Sequence, residues 1–112
     1  MNGKEILQKV LALYETPSKW TQGRYARDAS GKDCAINNGC CWCLSGAIQF
    51  VGGGLGGPGV RAALNYIDYA LDQRVCPRSI PNFNDRIAKS VEDVKSLLRE
   101  AIRRAEDLEL AA

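Results

Sequence analysis

Apolar residues recur at helical spacing in several separate stretches of the chain. The first stretch runs from Lys4 to Glu15 behind Asn2, a candidate N-cap, and its stripe comprises Ile6, Val10, Leu13 and Tyr14. Another runs from Val60 to Arg74 and closes before Pro77; its stripe comprises Val60, Ala63, Leu64, Ile67, Ala70 and Leu71. Repeats of this kind predict amphipathic helices that bury one face.

The last stretch carries the strongest helix signals. Ser90 is a candidate N-cap, and Asp93 stands three residues later in the capping-box position. The apolar repeat that follows comprises Val94, Leu97, Leu98, Ala101, Ile102, Ala105 and Leu108. Glu100 precedes Arg104 by one turn, which is the favoured order for an ion pair on a helix. We therefore predict a helix that begins after Ser90.

A fourth helix, predicted from Cys41 to about Val51, is apolar on all sides. Its first face comprises Leu44, Ala47, Ile48 and Val51, and its second comprises Cys43, Gly46 and Phe50. A helix without a polar face belongs in the middle of a domain. Gly46 and Ala47 are small enough to let a neighbouring backbone approach closely.

The connections complete the predicted architecture. Between Trp20 and Cys34, the turn-forming residues Asp28–Gly31 separate two short arms, which favours a β-hairpin or a tight loop pair. The segment from Ser79 to Lys89 contains Pro81 and is expected to be irregular. We therefore predict a mostly α fold: a compact bundle of about four helices, with a small β-hairpin between helices 1 and 2. Residues 1–112 are expected to form a single helical domain.

Composition narrows the class of protein. The 112 residues are 46% hydrophobic and 25% charged, as in an ordinary soluble domain. The net charge of +2 is too small for a nucleic-acid coat or a polybasic membrane binder. The chain has no histidine, and no motif of nucleophilic catalysis is present. We expect no enzymatic activity.

The sequence shows no secretory or membrane-spanning signal, and we expect a cytoplasmic location. No apolar region with a cleavage site follows Met1–Ile6, so we do not expect a secretory signal. The uncharged stretch from Ala35 to Val60 contains an apolar part too short to cross a bilayer, and no membrane partner is expected. The five cysteines are an odd number without an export signal, which is typical of reduced thiols in the cytosol.

The cysteines are also the first candidates for chemistry. Cys40 and Cys43 form a C-x-x-C pair, and Cys34 and Cys76 would complete four thiolates for zinc. Only one such pair exists, however, and buried thiols commonly act as small apolar side chains. We therefore expect core cysteines, with no metal and no cofactor.

A glycine-rich segment offers an alternative function. Gly52, Gly54 and Gly57 match G-x-G-x-x-G as a string, but a predicted helix precedes them where the dinucleotide motif needs a strand. A flexible loop between helices is the favoured interpretation. The alternative is a small-ligand or nucleotide-binding protein that uses the Gly52–Gly59 loop, with Arg24 or Arg61 for the anion.

A basic ridge on the last helix offers another alternative. Lys95, Arg99 and Arg103 follow each other at intervals of four residues, with Arg104 beside them. Such a ridge suits the phosphates of a nucleic acid. Acidic residues share the helix, and runs of mixed sign are typical of a solvated face. Nucleic-acid binding through Lys95–Arg104 is therefore the less favoured hypothesis.

Three motifs carry a family resemblance. The first is Trp20-Thr21-Gln22-Gly23, followed by Ala26-Arg27-Asp28 and Gly31; the second is Trp42-Cys43-Leu44-Ser45-Gly46-Ala47; the third is Phe83-Asn84-Asp85 ahead of the last helix. In their order and spacing they resemble a group of small bacterial and phage proteins classed as a domain of unknown function. The chain departs from that pattern by inserting Ile36–Cys41 and by its long glycine loop. The resemblance implies a small helical domain with a hairpin and supplies no activity.

Polar and aromatic residues of these motifs are the candidates for a ligand or partner site: Trp20, Gln22, Arg24, Asp28, Asn84 and Asp85. A structural role is expected first, because Asx turns and aromatic residues that cap a core are far commoner than binding sites. Our leading hypothesis is a non-enzymatic, cytosolic protein-interaction module. The resemblance implies that a phage or another mobile element carries it.

Overall fold

The first helix forms where its apolar stripe and its cap predict it. A computed structural model of the chain describes residues 1–74 and 79–111, in which α1 spans Gly3–Leu13. Oδ1 of Asn2 accepts a hydrogen bond from the backbone N–H of Glu5, and Oε1 of Glu5 accepts one from the backbone N–H of Asn2. This reciprocal pair satisfies two N–H groups that the helix cannot pair internally.

Two longer helices complete the core with α1. Helix α3 spans Val60–Asp72 and α5 spans Val91–Ala111, so both lie close to their predicted positions. The Asp93 carboxylate, in the first turn of α5, accepts from the backbone N–H of Lys89, which precedes the helix, at 2.9 Å. The fully buried side chains that pack between these helices include Ile6, Leu7, Val10, Ile67, Val94, Leu97 and Leu98. The mostly α fold class is confirmed.

The hairpin between helices 1 and 2 is also confirmed, but its second strand was predicted in the wrong place. Strand β1, Ala26–Arg27, pairs antiparallel with β2, Cys41–Trp42, which was expected to begin a helix. Residues 32–35 contribute only a single bridge, between Arg27 and Asp33. Pairing of distant strands has no local signal, because the partner is set by contacts made after folding. Helix α2 consequently begins later and spans Leu44–Gly52.

Helix α2 occupies the middle of the domain. Residues 44–48 are buried, as an apolar helix without a polar face predicts. Toward its end Phe50 becomes 37% exposed and stacks on Trp42, with ring centroids 4.3 Å apart. The buried hydroxyl of Tyr14 donates to the Trp42 carbonyl at 2.9 Å, which ties the hairpin to the end of α1.

The segment expected to be irregular is helical. A short turn, α4, spans Ile80–Asn82 and continues into a π-helical turn over Phe83–Ile87. Pro81 is compatible with α4 because the first turn of a helix needs no donor at that position. The wider turn is closed by the backbone N–H of Ala88, which donates to the Phe83 carbonyl at 2.8 Å. Within the described parts of the chain, no helix combines the length and apolar content that a membrane span requires.

Candidate functional site

Asn84 is the centre of a buried hydrogen-bond network. Its Oδ1 accepts from Nε1 of Trp20 at 2.7 Å and from the backbone N–H of Leu44 at 3.1 Å. Its Nδ2 donates to the Thr21 carbonyl at 3.0 Å and to Oδ1 of Asp85 at 2.8 Å. All four hydrogen-bonding positions of the amide are therefore engaged within the fold.

Gln22 and Asp85 extend the network across the π-helical turn. Nε2 of Gln22 donates to the carbonyls of Asn84, at 2.9 Å, and Ala88, at 3.1 Å. Oδ1 of Asp85 accepts from the backbone N–H of Gly23 at 2.9 Å. We call Trp20, Gln22, Asn84 and Asp85 the polar latch. It joins the chain after α1 to the π-helical turn, which supports the structural role expected of these residues.

Cys43 and Gly46 join β1 to the start of α2. The sulfur of Cys43 caps α2 by accepting from the backbone N–H of Gly46 at 3.3 Å, and the Cys43 N–H donates to the Tyr25 carbonyl at 3.2 Å. A Cβ atom on Gly46 would lie 2.1 Å from that same carbonyl oxygen. Only glycine therefore fits where β1 crosses the helix.

Burial determines the chemistry of the Cys43 thiol. Burial raises its pKa, the negative charge of Asp85 acts in the same direction, and the hydrogen bond from Gly46 opposes both. The thiol is therefore favoured over the thiolate, and the thiolate is the nucleophilic form of cysteine. Cys43 acts as a helix cap in the described structure.

The remaining cysteine candidates do not form a metal site within the described residues. Cys34 is half-buried and Cys40 is exposed; like Cys41 and Cys43 they are free thiols. Partial burial raises the pKa of Cys34, with a further contribution from the carboxylates of Asp28 and Asp33. Across residues 1–74 and 79–111, no three cysteine or carboxylate side chains come together as metal ligands. Cys76 lies outside the described residues.

Asp28 lies apart from the polar latch and shapes the hairpin loop. Its Oδ1 accepts from the hydroxyl of Ser30 at 2.7 Å, from the Ser30 N–H at 2.9 Å and from the Lys32 N–H at 3.0 Å. The hydrogen bonds from Ser30 and Lys32 lower the pKa of Asp28. This Asx turn is the structural interpretation expected for the residue.

Arg27 was not predicted as a site residue, yet its guanidinium holds the same region together. Nε donates to Oγ1 of Thr21 at 2.9 Å, Nη2 to the Gln22 carbonyl at 3.0 Å, and Nη1 to the Gly31 carbonyl at 3.1 Å. An arginine on a short strand carries no distinctive sequence signal. The role of its guanidinium N–H groups can be recognised only when the positions of the surrounding loop carbonyls are known.

Arg24 and Asp85 face an open cleft of about 300 Å³ beside the latch. Its lining comprises Gly23, Arg24, Tyr25, Asp33, Cys43, Pro81 and Asp85. Nε of Arg24 lies 3.8 Å from Oδ2 of Asp33, and both side chains are largely exposed. Of the six predicted site residues, Trp20, Gln22, Asn84 and Asp28 do not line the cleft.

The cleft adjoins two further hollows, and together they form what we call the groove. A hollow of about 350 Å³ shares Tyr25 and Pro81 with the cleft. A third, of about 280 Å³, shares Leu55, Leu64 and Asp68 with the second and ends at Arg61. The groove therefore runs from Asp85, past the start of α2, to the exposed side of α3.

The glycine loop packs helix ends together. Gly59 adopts a φ of 86° before α3, and a Cβ atom there would lie 2.5 Å from the Met1 carbonyl oxygen. A Cβ on Gly57 would lie 1.9 Å from the Gly52 carbonyl oxygen. The N–H of Gly54 already donates to the Gln49 carbonyl at 2.7 Å. At Gly57 and Gly59 the loop is therefore closely packed against neighbouring backbone, and nucleotide binding through the loop stays the alternative hypothesis.

Lys95, the first residue of the predicted basic ridge, is buried and is not available on the surface. Only 7% of the Lys95 side chain is exposed, and Nζ lies 3.2 Å from Oε1 of Glu15 and 3.4 Å from Oε1 of Glu92. The expectation of an exposed ridge from Lys95 is wrong, because Glu15, in the turn that follows α1 in a distant part of the chain, pairs with the Lys95 ammonium group. Further along, the guanidinium of Arg104 lies over the Tyr69 ring at 4.1 Å.

Fold and site together define a small helical domain whose hairpin is latched to a π-helical turn. The chain belongs to the family of unknown function DUF6197, whose model matches residues 2–104. The match confirms the expected membership in a family of unknown function. No curated protein and no solved structure shows significant similarity to the chain.

Proposed function

We propose that the protein is a non-enzymatic interaction domain that binds a segment of a partner protein in the groove. One observation carries the proposal: the groove exposes apolar side chains, while the polar latch residues are engaged within the fold. Leu55 is 71% exposed and Tyr25 is 52% exposed, and Pro81 and Leu64 continue the apolar lining. Burial of such side chains by a partner removes apolar surface from water.

The chemistry of the groove favours binding over catalysis. Cys43 is the cysteine that lines the groove, and burial raises the pKa of its thiol, which favours the protonated form; Ser45 and Ser79 also line the groove. The chain has no histidine to activate these side chains. Asn84 and Gln22 do not line the groove, and their amide N–H groups donate to backbone carbonyls or a neighbouring side chain. These features support a passive docking surface.

The proposal includes a cytoplasmic location and carriage by a phage or another mobile element. The free thiols of Cys34, Cys40, Cys41 and Cys43 suit a reducing compartment. The mobile-element origin rests on the motif resemblance alone.

Selection from a random peptide library on the immobilised protein tests the proposal. We expect binding peptides whose affinity falls by at least about tenfold with Leu55→Asp, because loss of a central apolar contact commonly costs that much. Leu108→Asp is the matched control, because Leu108 is an exposed leucine on α5 outside the groove. An absence of binders, or binders that ignore Leu55→Asp, would overturn the proposal.

A further inference from the structure

The groove contains carboxylate oxygens that have no hydrogen-bond partner among the described residues. Asp68 lines the second and third hollows and forms no hydrogen bond or ion pair with any residue that the structure describes. At the other end, Oδ1 of Asp85 accepts from Gly23 and Asn84, and its second oxygen has no hydrogen-bond partner in the described residues. The groove therefore presents one negatively charged acceptor at its Asp85 end and another, Asp68, where the second and third hollows meet.

The cations of the groove offset these charges incompletely. Arg24 donates from Nη1 to the Gly23 carbonyl at 2.8 Å and lies beside the third carboxylate, Asp33. Arg61 stands only at the outermost end. Along most of its length, the groove therefore combines apolar walls with an excess of negative charge.

The backbone of β1 is already hydrogen-bonded within the fold, so a partner in the groove is contacted by side chains. Strand β1 is bonded on both sides, through its pairing with β2 and through the bridge between Arg27 and Asp33. The Tyr25 carbonyl at its start accepts from Cys43. No described β1 edge beside the groove is therefore open to strand addition, and recognition depends on pockets and charge.

We propose that the groove binds a protein segment in which a lysine or arginine pairs with Asp68 and flanking apolar side chains pack on Leu55 and Tyr25. This inference rests on the proposed function and names the chemistry of its partner. Complementary charge steers such a segment and selects against acidic ones.

The electrostatics of Asp68 agree with this partner. Partial burial raises the pKa of Asp68, and the neighbouring Asp72 one turn later raises it further. A bound cation stabilises the charged carboxylate and lowers that pKa. Binding is therefore expected to weaken as the pH falls through the raised pKa of Asp68, because protonation removes the attraction.

The same peptide selection supplies the test. We expect the selected peptides to be enriched in lysine or arginine next to apolar residues. Asp68→Asn is expected to weaken their binding by about fivefold, the upper range for a solvent-accessible ion pair, and to reduce its dependence on salt. Asp107→Asn, on α5 outside the groove, is the matched control and leaves the affinity unchanged.

The outcomes separate this inference from the proposed function. Binders that require Leu55, show no basic enrichment and ignore Asp68→Asn would overturn the basic partner and leave the docking groove standing. Selection after Asp68→Lys offers a second readout, because the reversed charge is expected to favour acidic peptides. Failure to obtain any binder sensitive to Leu55→Asp would overturn both.

Discussion

At the scale of single residues, hydrogen-bond satisfaction explains what the motif side chains do. Trp20 and Asn84 are 64 positions apart, yet the indole N–H of one donates to the amide oxygen of the other. A buried polar atom without a partner is costly, so such pairs fix how distant segments meet. Motif residues of this kind fix the position of the segment after α1 relative to the π-helical turn. The groove beside them is the surface that we propose for binding.

Asn84→Ala is expected to destabilise the protein strongly. The change leaves the Trp20 indole N–H, the Leu44 N–H and the Thr21 carbonyl without their shared partner. We expect the free energy of unfolding, measured by urea denaturation, to fall by about 3 kcal/mol. Asn65→Ala removes an exposed amide from α3 and is the control. Equal effects of the two changes would contradict the role of Asn84.

Asp28 predicts a pH dependence whose sign follows from its lowered pKa. In the folded state the pKa lies below the ordinary value of 3.8 because Ser30 and Lys32 donate to the carboxylate. The charged turn therefore stabilises the protein above the unfolded pKa, and this contribution is lost as the pH falls through the folded pKa. In Asp28→Asn, the free energy of unfolding, measured across the acid pH range, is expected to lack this pH-dependent contribution.

The hydroxyl of Ser30 is the largest cause of that shift. In Ser30→Ala the pKa of Asp28, followed by NMR titration, is expected to rise toward its ordinary value. The backbone N–H groups of Lys32 and of residue 30 itself still donate to Asp28 and keep part of the effect. An unchanged Asp28 pKa in Ser30→Ala would show that the hydroxyl of Ser30 is not the main cause of the lowered pKa.

At the scale of elements, local periodicity predicted the helices better than the strands. The amphipathic stripes placed α1, α3 and α5 closely, because each stripe is a local pattern with a cap nearby. The β2 strand at Cys41–Trp42 was missed, since its partner lies in the loop after α1. The helical segment of residues 80–87 was missed as well, because its Pro81 reads as a breaker and Gln22 supplies its stabilising contacts from afar.

The candidate site shows the same division between local and distant information. Trp20, Gln22, Asn84 and Asp85 were selected by their motifs and do come together. Tyr25 and Leu55, which expose apolar surface in the groove, carry no motif. Lys95 was misread because Glu15, which pairs with it, lies far away in the chain, in the turn after α1. The sequence motifs therefore identified the residues that hydrogen-bond to one another inside the fold. They did not identify the exposed groove beside those residues.

Gly46→Ala tests the crossing of β1 over α2. The added methyl group would overlap the Tyr25 carbonyl, so the strand must move or the helix must lose its cap. We expect the free energy of unfolding to fall by about 3 kcal/mol, the upper range for overpacking. Gly56→Ala is the control, because a Cβ atom there meets nothing within 4 Å. A loss shared by both variants would point to backbone flexibility instead.

At the scale of the molecule, the hairpin and the helices share one core. The Cα radius of gyration is 13.2 Å, close to the value of about 13 Å for a folded chain of this length. Trp42 is buried against α2 and accepts from Tyr14 of α1, while Leu44 of α2 is bonded to Asn84. The first connection joins the hairpin to the end of α1, and the second joins α2 to the π-helical turn, which Trp20 also contacts through Asn84.

These connections predict a single cooperative unfolding transition. Both tryptophans, Trp20 and Trp42, lie in the hairpin region, so their fluorescence follows that region, whereas far-ultraviolet circular dichroism follows the helices. We expect the two signals to coincide in urea, as they do when one core unfolds as a unit. Asn84→Ala should move both midpoints together, because Asn84 bonds the hairpin region to α2. A fluorescence change at lower urea than the loss of helix would show that the hairpin unfolds independently.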